Sequence, residues 1–172
     1  DRFDGSALRP EMTYDLAVAL VRSDDRAGAR EALTDFRGAY REHSLHAEAT
    51  RLLASLAHQD GDYDRSTELC TAYLEAYPDG PGAAEMRFLT AENLLLSGEV
   101  ERAAEAYRAF LDAHPNARQA TTAAFRLGDA LWRLDRPDNA AELLAVVARG
   151  ERTTPEHRFA ARRIGEQRDR LV

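Results

Sequence analysis

Apolar residues recur along the chain with the spacing of α-helices, in short runs that end at turn-forming residues. One run ends at Gly98, and the next stops at Pro115. Within the second run, Ala103, Tyr107 and Phe110 follow the i, i+3/i+4, i+7 spacing of a buried helical face. Glycine permits the left-handed backbone that closes a helix, and proline cannot continue one. The pattern therefore predicts two antiparallel helices joined by a short turn.

The same pattern returns when the sequence is shifted by 37 residues. Residues that align at the turn are Gly61, Gly98 and Asp135. A small residue early in each second helix also aligns, in the series Ala29, Ser66, Ala103 and Ala140. A bulky residue seven positions later aligns too, in the series Phe36, Tyr73, Phe110 and Val147. A period of this size is typical of repeat arrays, whose units bury their apolar faces against their neighbours. We therefore predict an all-α solenoid of four helical hairpins followed by a closing helix.

Caps, turns and prolines set the predicted limits of these elements. Residues 1–9 hold glycine, serine and four charges without periodicity, which favours a linker or frayed start, and we expect residues 10–172 to form the repeat domain. We expect units at about 10–46, 47–83, 84–120 and 121–153, and an arginine-rich capping helix at 154–171. The predicted helices within the units are 10–22, 26–42, 47–59, 63–77, 82–97, 100–114, 119–134 and 137–149.

Composition and charge exclude several classes of function. The net charge of -7 argues against a general nucleic-acid binder, and no apolar run approaches the ~18 residues of a membrane span. All 23 basic residues are arginine, so the chain has no phosphate-loop, kinase or Schiff-base lysine. The lone cysteine, Cys70, falls at a predicted core position. Because the chain begins at Asp1 and has no signal peptide, we expect a trimmed fragment of a longer protein.

No set of residues has the pattern of an active site. His43 and His46 flank a predicted turn, where ordinary turn residues are favoured over metal ligands. The acidic segment 60–64 resembles a calcium loop but lacks the closing glutamate and occupies a repeat turn. The sequence also has no glycine-rich phosphate loop and no serine elbow. We therefore predict a protein that is not an enzyme and requires no cofactor and no metal.

The repeat resembles the tetratricopeptide repeat family over residues 10–172. Residues that carry the resemblance are the large–small pair Leu127-Gly128, the turn residue Gly98, Ala103, Tyr107, Phe110 and Pro115. The unit is three residues longer than the usual ~34, and the extra residues follow the proline. This longer unit is similar to the repeats of bacterial envelope proteins of the Tol-Pal coordinator and outer-membrane assembly lipoprotein type. The resemblance implies a right-handed superhelix whose first helices line a concave groove.

The resemblance also implies which side chains face that groove. In the family, positions two, five, nine, twelve and thirteen of each first helix point into it. The expected partner-binding residues are Tyr14, Arg51, Phe88, Glu92, Phe125, Asp129, Trp132, Arg133 and Arg162, together with Arg126 beside Phe125. Aromatic residues and arginine are the usual anchors of binding hot spots. The alternative for Phe88 and Phe125 is packing against the neighbouring unit.

Together these features predict a non-enzymatic protein-protein interaction scaffold that binds a peptide, a helix or a partner domain in the groove. The implied setting is bacterial envelope assembly or signalling, with the periplasm favoured and the cytoplasm left open. The alternative is a structural spacer or self-association module of a larger sensor or assembly protein, which leaves a homo-oligomer open. We expect no nucleic-acid partner and no direct insertion into a membrane.

Overall fold

The computed structural model describes residues 10–136, Ala140 and Leu143. This part of the chain forms seven helices and contains no strand: α1 Pro10–Arg22, α2 Arg26–Ala39, α3 His46–Gln59, α4 Tyr63–Ala76, α5 Ala83–Leu96, α6 Val100–Ala113 and α7 Ala120–Arg133. These helices confirm the predicted all-α helical repeat. The predicted helix at 137–149 falls almost wholly outside the described residues. The predicted capping helix at 154–171 and Arg162 lie outside them too, and the predicted limits of the units stay a prediction.

The chain divides into two compact units, one ending at Met86 and the other beginning at Arg87. In the first unit, α1 packs on α2, α2 on α3, and α3 on α4. In the second unit, α6 packs on α7. The division falls inside α5, so the first residues of this helix belong to the first unit and the remainder to the second.

Residues that align in the sequence occupy equivalent places in the core. The small residues at the aligned position of the second helices are all fully buried: Ala29, Ser66, Ala103 and Ala140. The bulky residues seven positions later, Phe36, Tyr73 and Phe110, are also buried. Cys70 is buried as predicted. The 37-residue period therefore reflects a repeated packing arrangement, in which a small side chain lets two helices approach closely.

A residue with left-handed backbone stands at the turn inside each hairpin. Gly61 and Gly98 have φ angles of 79° and 85°, in the region that glycine enters without steric cost. The aligned residues Asp24 and Asp135 adopt the same conformation, with φ angles of 62° and 55°. Aspartate is one of the few other residues that tolerate it. The turn geometry is thus common to the turns that follow α1, α3, α5 and α7, even where the glycine is missing.

Side-chain caps begin two of the second helices. The Asp25 carboxylate accepts a hydrogen bond from the Gly28 N–H at 3.0 Å, and the Asp62 carboxylate accepts one from the Arg65 N–H at 3.2 Å. Asp25 and Asp62 are thus the N-caps of α2 and α4. They satisfy N–H groups that the first turn of a helix leaves without a partner.

The second helices end at aligned aromatic residues. Tyr40, Tyr77 and His114 are the C-caps of α2, α4 and α6, and each backbone N–H donates to the carbonyl four residues earlier. Each ring also packs on the aromatic ring four residues earlier, at centroid distances of 5.2, 5.3 and 5.6 Å. The predicted extension of the second helix to residue 42 is therefore wrong, because α2 ends at Ala39. α2 thus ends at the same aligned aromatic residue as α4 and α6, although Arg41 stands where later units have proline.

Candidate partner-binding site

The predicted partner-binding residues are distributed over the two units, which we describe separately. Tyr14 and Arg51 belong to the first unit. Seven residues belong to the second unit, on α5 and α7: Phe88, Glu92, Phe125, Arg126, Asp129, Trp132 and Arg133.

Four charged residues of α5 and α7 form two ion pairs, and we call them the charged face. Arg126 Nε lies 3.1 Å from Glu92 Oε1, and Arg133 Nη2 lies 2.7 Å from Asp129 Oδ2. The Arg126 Nε–H makes no hydrogen bond of good geometry, so the first pair is an electrostatic contact. The two carboxylate side chains are only 13% and 11% exposed, whereas the arginine side chains are 38% and 53% exposed. The carboxylates therefore hold guanidinium groups that still present N–H donors to solvent.

Glu92 has a second partner in the core of its unit. The hydroxyl of the fully buried Tyr107, on α6, donates a hydrogen bond to the Glu92 carboxylate. Burial, and then the contact with Glu92, raise the pKa of Tyr107 above its ordinary value of 10.0. This hydrogen bond was not predicted from the sequence. A signal for it was present, because Leu33 and Cys70, which align with Tyr107 in the earlier units, have no hydroxyl group. A hydroxyl in an otherwise apolar column of the repeat requires a buried acceptor.

Two of the aromatic residues at position five of the first helices, Tyr14 and Phe88, pack on the second helix of their own hairpin. The Tyr14 ring centroid lies 5.9 Å from that of Phe36. The Phe88 ring lies 5.6 Å from that of Phe110 and 6.1 Å from that of Tyr107. Tyr14 and Phe88 are both half-buried, so each stabilises its hairpin and also contributes to the surface. Packing therefore accounts for part of the aromatic pattern that predicted binding.

Two aromatic–arginine pairs lie two turns apart on α7. Phe125 precedes Arg126, and Trp132 precedes Arg133. The side chains of Phe125 and Trp132 are half-buried, which leaves part of each at the surface. Residues seven apart lie on the same side of an α-helix. Both pairs are therefore presented on one side of α7.

Arg51 occupies position five in the second hairpin and acts differently from the aromatic residues there. Its Nε lies 3.0 Å from Glu48 Oε2, and its Nη1 lies 2.5 Å from Glu85 Oε2. Glu48 and Glu85 are aligned residues of α3 and α5, so Arg51 joins two first helices within the first unit. With 26% of its side chain exposed, Arg51 stabilises the repeat and also remains accessible to a ligand.

Acid–base chemistry has little support among the described residues. They contain no group of three or more His, Cys, Asp or Glu side chains placed to hold a metal ion. His43 lies 3.4 Å from the Glu11 carboxylate, and His114 packs on Phe110 at a helix end. Within residues 10–136, none of the seven helices has the length and apolar character needed to cross a bilayer. The geometry is suited to binding through arginine and aromatic side chains.

Paired helices, a left-handed residue at each hairpin turn and a buried small residue in each second helix define a helical repeat protein. The sequence model of the tetratricopeptide repeat matches residues 14–81, 79–118 and 88–155. The chain belongs to the tetratricopeptide repeat family. Repeats of this family generally mediate protein–protein interactions and are typically non-enzymatic.

Several solved structures share this fold at low sequence identity. A tetratricopeptide repeat protein from Parabacteroides merdae ATCC 43184 has a TM-score of 0.79 and 16% identity, over 94% of this chain and 60% of its own. MamA of AMB-1 has a TM-score of 0.72 and 16% identity, over 88% and 78% of the two chains. MamA from Desulfovibrio magneticus RS-1 has a TM-score of 0.70 and 20% identity, over 86% and 78%.

This chain spans less than two thirds of the length of the Parabacteroides protein. At these identities, the structural similarity shows the fold alone. No curated protein matches the sequence.

Proposed function

We propose that the chain is a non-enzymatic scaffold that binds a peptide, a helix or a partner domain through the first helices of its repeats. In this proposal, binding centres on the side of α7 that carries Phe125, Trp132 and the charged face, as part of a concave groove. The observation that carries it is the pair of partly exposed guanidinium groups held by largely buried carboxylates beside two half-buried aromatic rings.

This arrangement suits binding for an energetic reason. Ordering a long side chain in an interface costs roughly 0.5–1.5 kcal/mol of conformational entropy. Arg126 and Arg133 are already oriented by Glu92 and Asp129 in the free protein, so they lose less conformational entropy when a partner binds. Aromatic rings next to them supply apolar area, and arginine and tryptophan are enriched in binding hot spots.

The distance between the two arginines indicates which spacing of carboxylates on a partner would fit them. Arg126 and Arg133 are seven residues apart on one helix, which corresponds to about 10 Å along its axis. A partner with two carboxylates at that spacing, such as acidic residues seven apart on a helix, would engage both guanidinium groups. Apolar side chains between those carboxylates would contact Phe125 and Trp132. The expected partner is thus an acidic, amphipathic helix or peptide.

A role in bacterial envelope assembly or signalling is the second part of the proposal. Its support is the long unit with aromatic–proline endings at Tyr77-Pro78 and His114-Pro115, which is similar to the repeats of envelope proteins. Fractionation of cells that produce the full-length protein tests it. Recovery with the periplasm or membranes is expected, and recovery only with the cytoplasm would contradict it.

Partner capture tests the proposed face. The double variant Phe125→Ala/Trp132→Ala should lose a partner that the wild-type chain retains in a pull-down, with unchanged helicity by circular dichroism. The matched control is Leu111→Ala, which truncates a half-buried apolar side chain on the second helix α6. Unchanged capture by the double variant would contradict the assignment. Light scattering distinguishes the alternative, because a concentration-dependent dimer would favour a self-association module.

A further inference from the structure

An open cleft of about 410 Å³ lies in the first unit, where α2 ends and α3 begins. Its lining residues come from the last two turns of α2, the connecting loop and the start of α3: Thr34, Arg37, Gly38, Arg41 and His46. None of them is a predicted groove residue, and none belongs to the charged face. The proposed partner-binding function does not use this cleft.

Three of the lining residues are basic in type, and the surrounding charge is positive. The Arg37 Nε–H donates to Thr50 Oγ1 at 2.8 Å, which leaves both terminal nitrogens for a ligand. Neither Arg37 nor Arg41 forms an ion pair with any carboxylate in the described ranges. Arg65 also acts on Arg37, but it is itself paired with Glu68. In a chain of net charge -7, Arg37 and Arg41 are therefore a local concentration of positive charge that no carboxylate pairs with among the described residues.

His46 responds to the same environment. Burial, and then the charges of Arg37 and Arg41, lower the pKa of His46 below its ordinary value of 6.5. The imidazole is therefore neutral at pH 7 and retains one N–H donor. A bound anion would offset the two arginine charges and raise that pKa again. A rise in the pKa of His46 would therefore indicate that an anion has bound.

The later repeats provide an internal comparison for the cleft. The second and third units carry apolar, small or acidic residues at the places of Arg37, Gly38, Arg41 and His46: Leu74, Glu75, Pro78 and Ala83; Leu111, Asp112, Pro115 and Ala120. The same helix ends and loops form around those residues. The repeat therefore packs without basic residues at these places, and the positive charge is particular to the first unit.

We propose that this cleft binds a phosphate-type dianion, either free phosphate or a phosphate ester. Two guanidinium groups match the charge of a phosphate group at pH 7, about −1.5 to −2, whereas a single carboxylate would leave one of them uncompensated. The start of α3 adds the positive end of a helix dipole, and its N-cap residue Leu45 makes no side-chain capping bond. The cleft is larger than one phosphate group, so it also admits part of the organic group of an ester.

Titration at fixed ionic strength tests the proposal, with inorganic phosphate and phenyl phosphate as probes and the ring protons of His46 followed by NMR. We expect saturable binding and a higher pKa of His46 in the bound state. Arg41→Gln changes an exposed residue and should weaken binding at least tenfold. Arg37→Leu introduces the residue of the later units and should do the same. The control Arg118→Gln removes an equal charge from the loop before α7 and should bind like the wild type.

Each result of this titration decides one question. Equal affinity in Arg41→Gln, Arg37→Leu and Arg118→Gln would overturn the site, as would the absence of saturable binding. An equal response to acetate would overturn the assignment to a phosphate-type group. Tighter binding of phenyl phosphate than of inorganic phosphate would identify an ester as the ligand, and equal or weaker binding would identify free phosphate. Either of the last two results supports the proposal.

Discussion

The buried hydroxyl of Tyr107 donates a hydrogen bond to the carboxylate of Glu92, and this contact joins α6 to α5 within the second unit. Glu92 also pairs with Arg126 of α7. One carboxylate therefore connects the core of the second unit to an arginine of the proposed binding face. A change at Tyr107 should affect stability directly and the orientation of Arg126 through Glu92.

Removing the Tyr107 hydroxyl should destabilise the chain. In the Tyr107→Phe variant, the largely buried Glu92 carboxylate loses a donor, and a lost buried hydrogen bond of this kind costs about 1–3 kcal/mol. Urea denaturation followed by circular dichroism measures the free energy of unfolding. Tyr63→Phe is the control, since Tyr63 is half-buried at the start of α4. Equal stability of the two variants would contradict the role of the hydroxyl.

The same tyrosine predicts a loss of stability at alkaline pH. Its pKa is raised in the folded state, first by burial and then by Glu92, above the ordinary value of 10.0 that it regains on unfolding. The stabilisation is therefore fully present below pH 10 and declines above it, by up to about 1.4 kcal/mol per pH unit. Urea denaturation at several pH values should show a flatter alkaline decline for Tyr107→Phe. Parallel declines in variant and wild type would exclude Tyr107 as the source.

Enlarging the small residue of a second helix should disturb the repeat packing. Ala103 is fully buried, and a leucine there would have to displace its neighbours, at a typical cost of about 1–3 kcal/mol. Ala109→Leu on the exposed side of the same helix is the matched control and should change stability by less than about 0.5 kcal/mol. Thermal unfolding compares the two. If both variants melt with the wild type, the aligned small residues do not set the helix spacing.

Replacing two glycines by alanine should change the stability of the chain in opposite directions. Gly38 lies in α2 with open space where a Cβ would be, so Gly38→Ala should stabilise the chain by about 0.4–1 kcal/mol. At Gly82, the Cβ would lie 2.2 Å from Cδ of Arg51 and 2.9 Å from the hydroxyl of Tyr73. Gly82→Ala should therefore displace Arg51 from Glu85 and lower stability by about 1 kcal/mol. Chemical denaturation of both variants checks the signs, and a stabilising Gly82→Ala would contradict the close packing.

Much of the fold could be predicted because the 37-residue period places residues of one type in equivalent environments. The buried series Ala29, Ser66 and Ala103 and the turn residues Gly61 and Gly98 illustrate this, since each is recognisable by comparison with its own repeats. The end of α2 could not be predicted in the same way. The sequence signal for helix ends was proline, which follows the C-caps of α4 and α6 at Pro78 and Pro115, whereas Arg41 stands at this place after α2.

The candidate site was less predictable because its contacts join helices that are distant in sequence. Register placed Phe88 and Arg51 at the groove position without indicating that one packs on α6 and the other bridges two glutamates. The pairing of Glu92 with Tyr107 depends on how α5 and α6 meet, which no local pattern encodes. Binding of a partner by the predicted residues therefore remains a prediction.

Site-specific photo-crosslinking tests the central claim, which is that a protein partner docks on the face of α7. A benzophenone amino acid placed at Thr122, on the same side of α7 as Asp129 but outside the charged face, should form a covalent adduct with the partner recovered by the wild-type chain. The same group placed at Arg108, exposed on the second helix α6, should form none. An adduct at position 122 alone is the result that the account predicts. Adducts at position 108 alone, or equal yields at both positions, would contradict it.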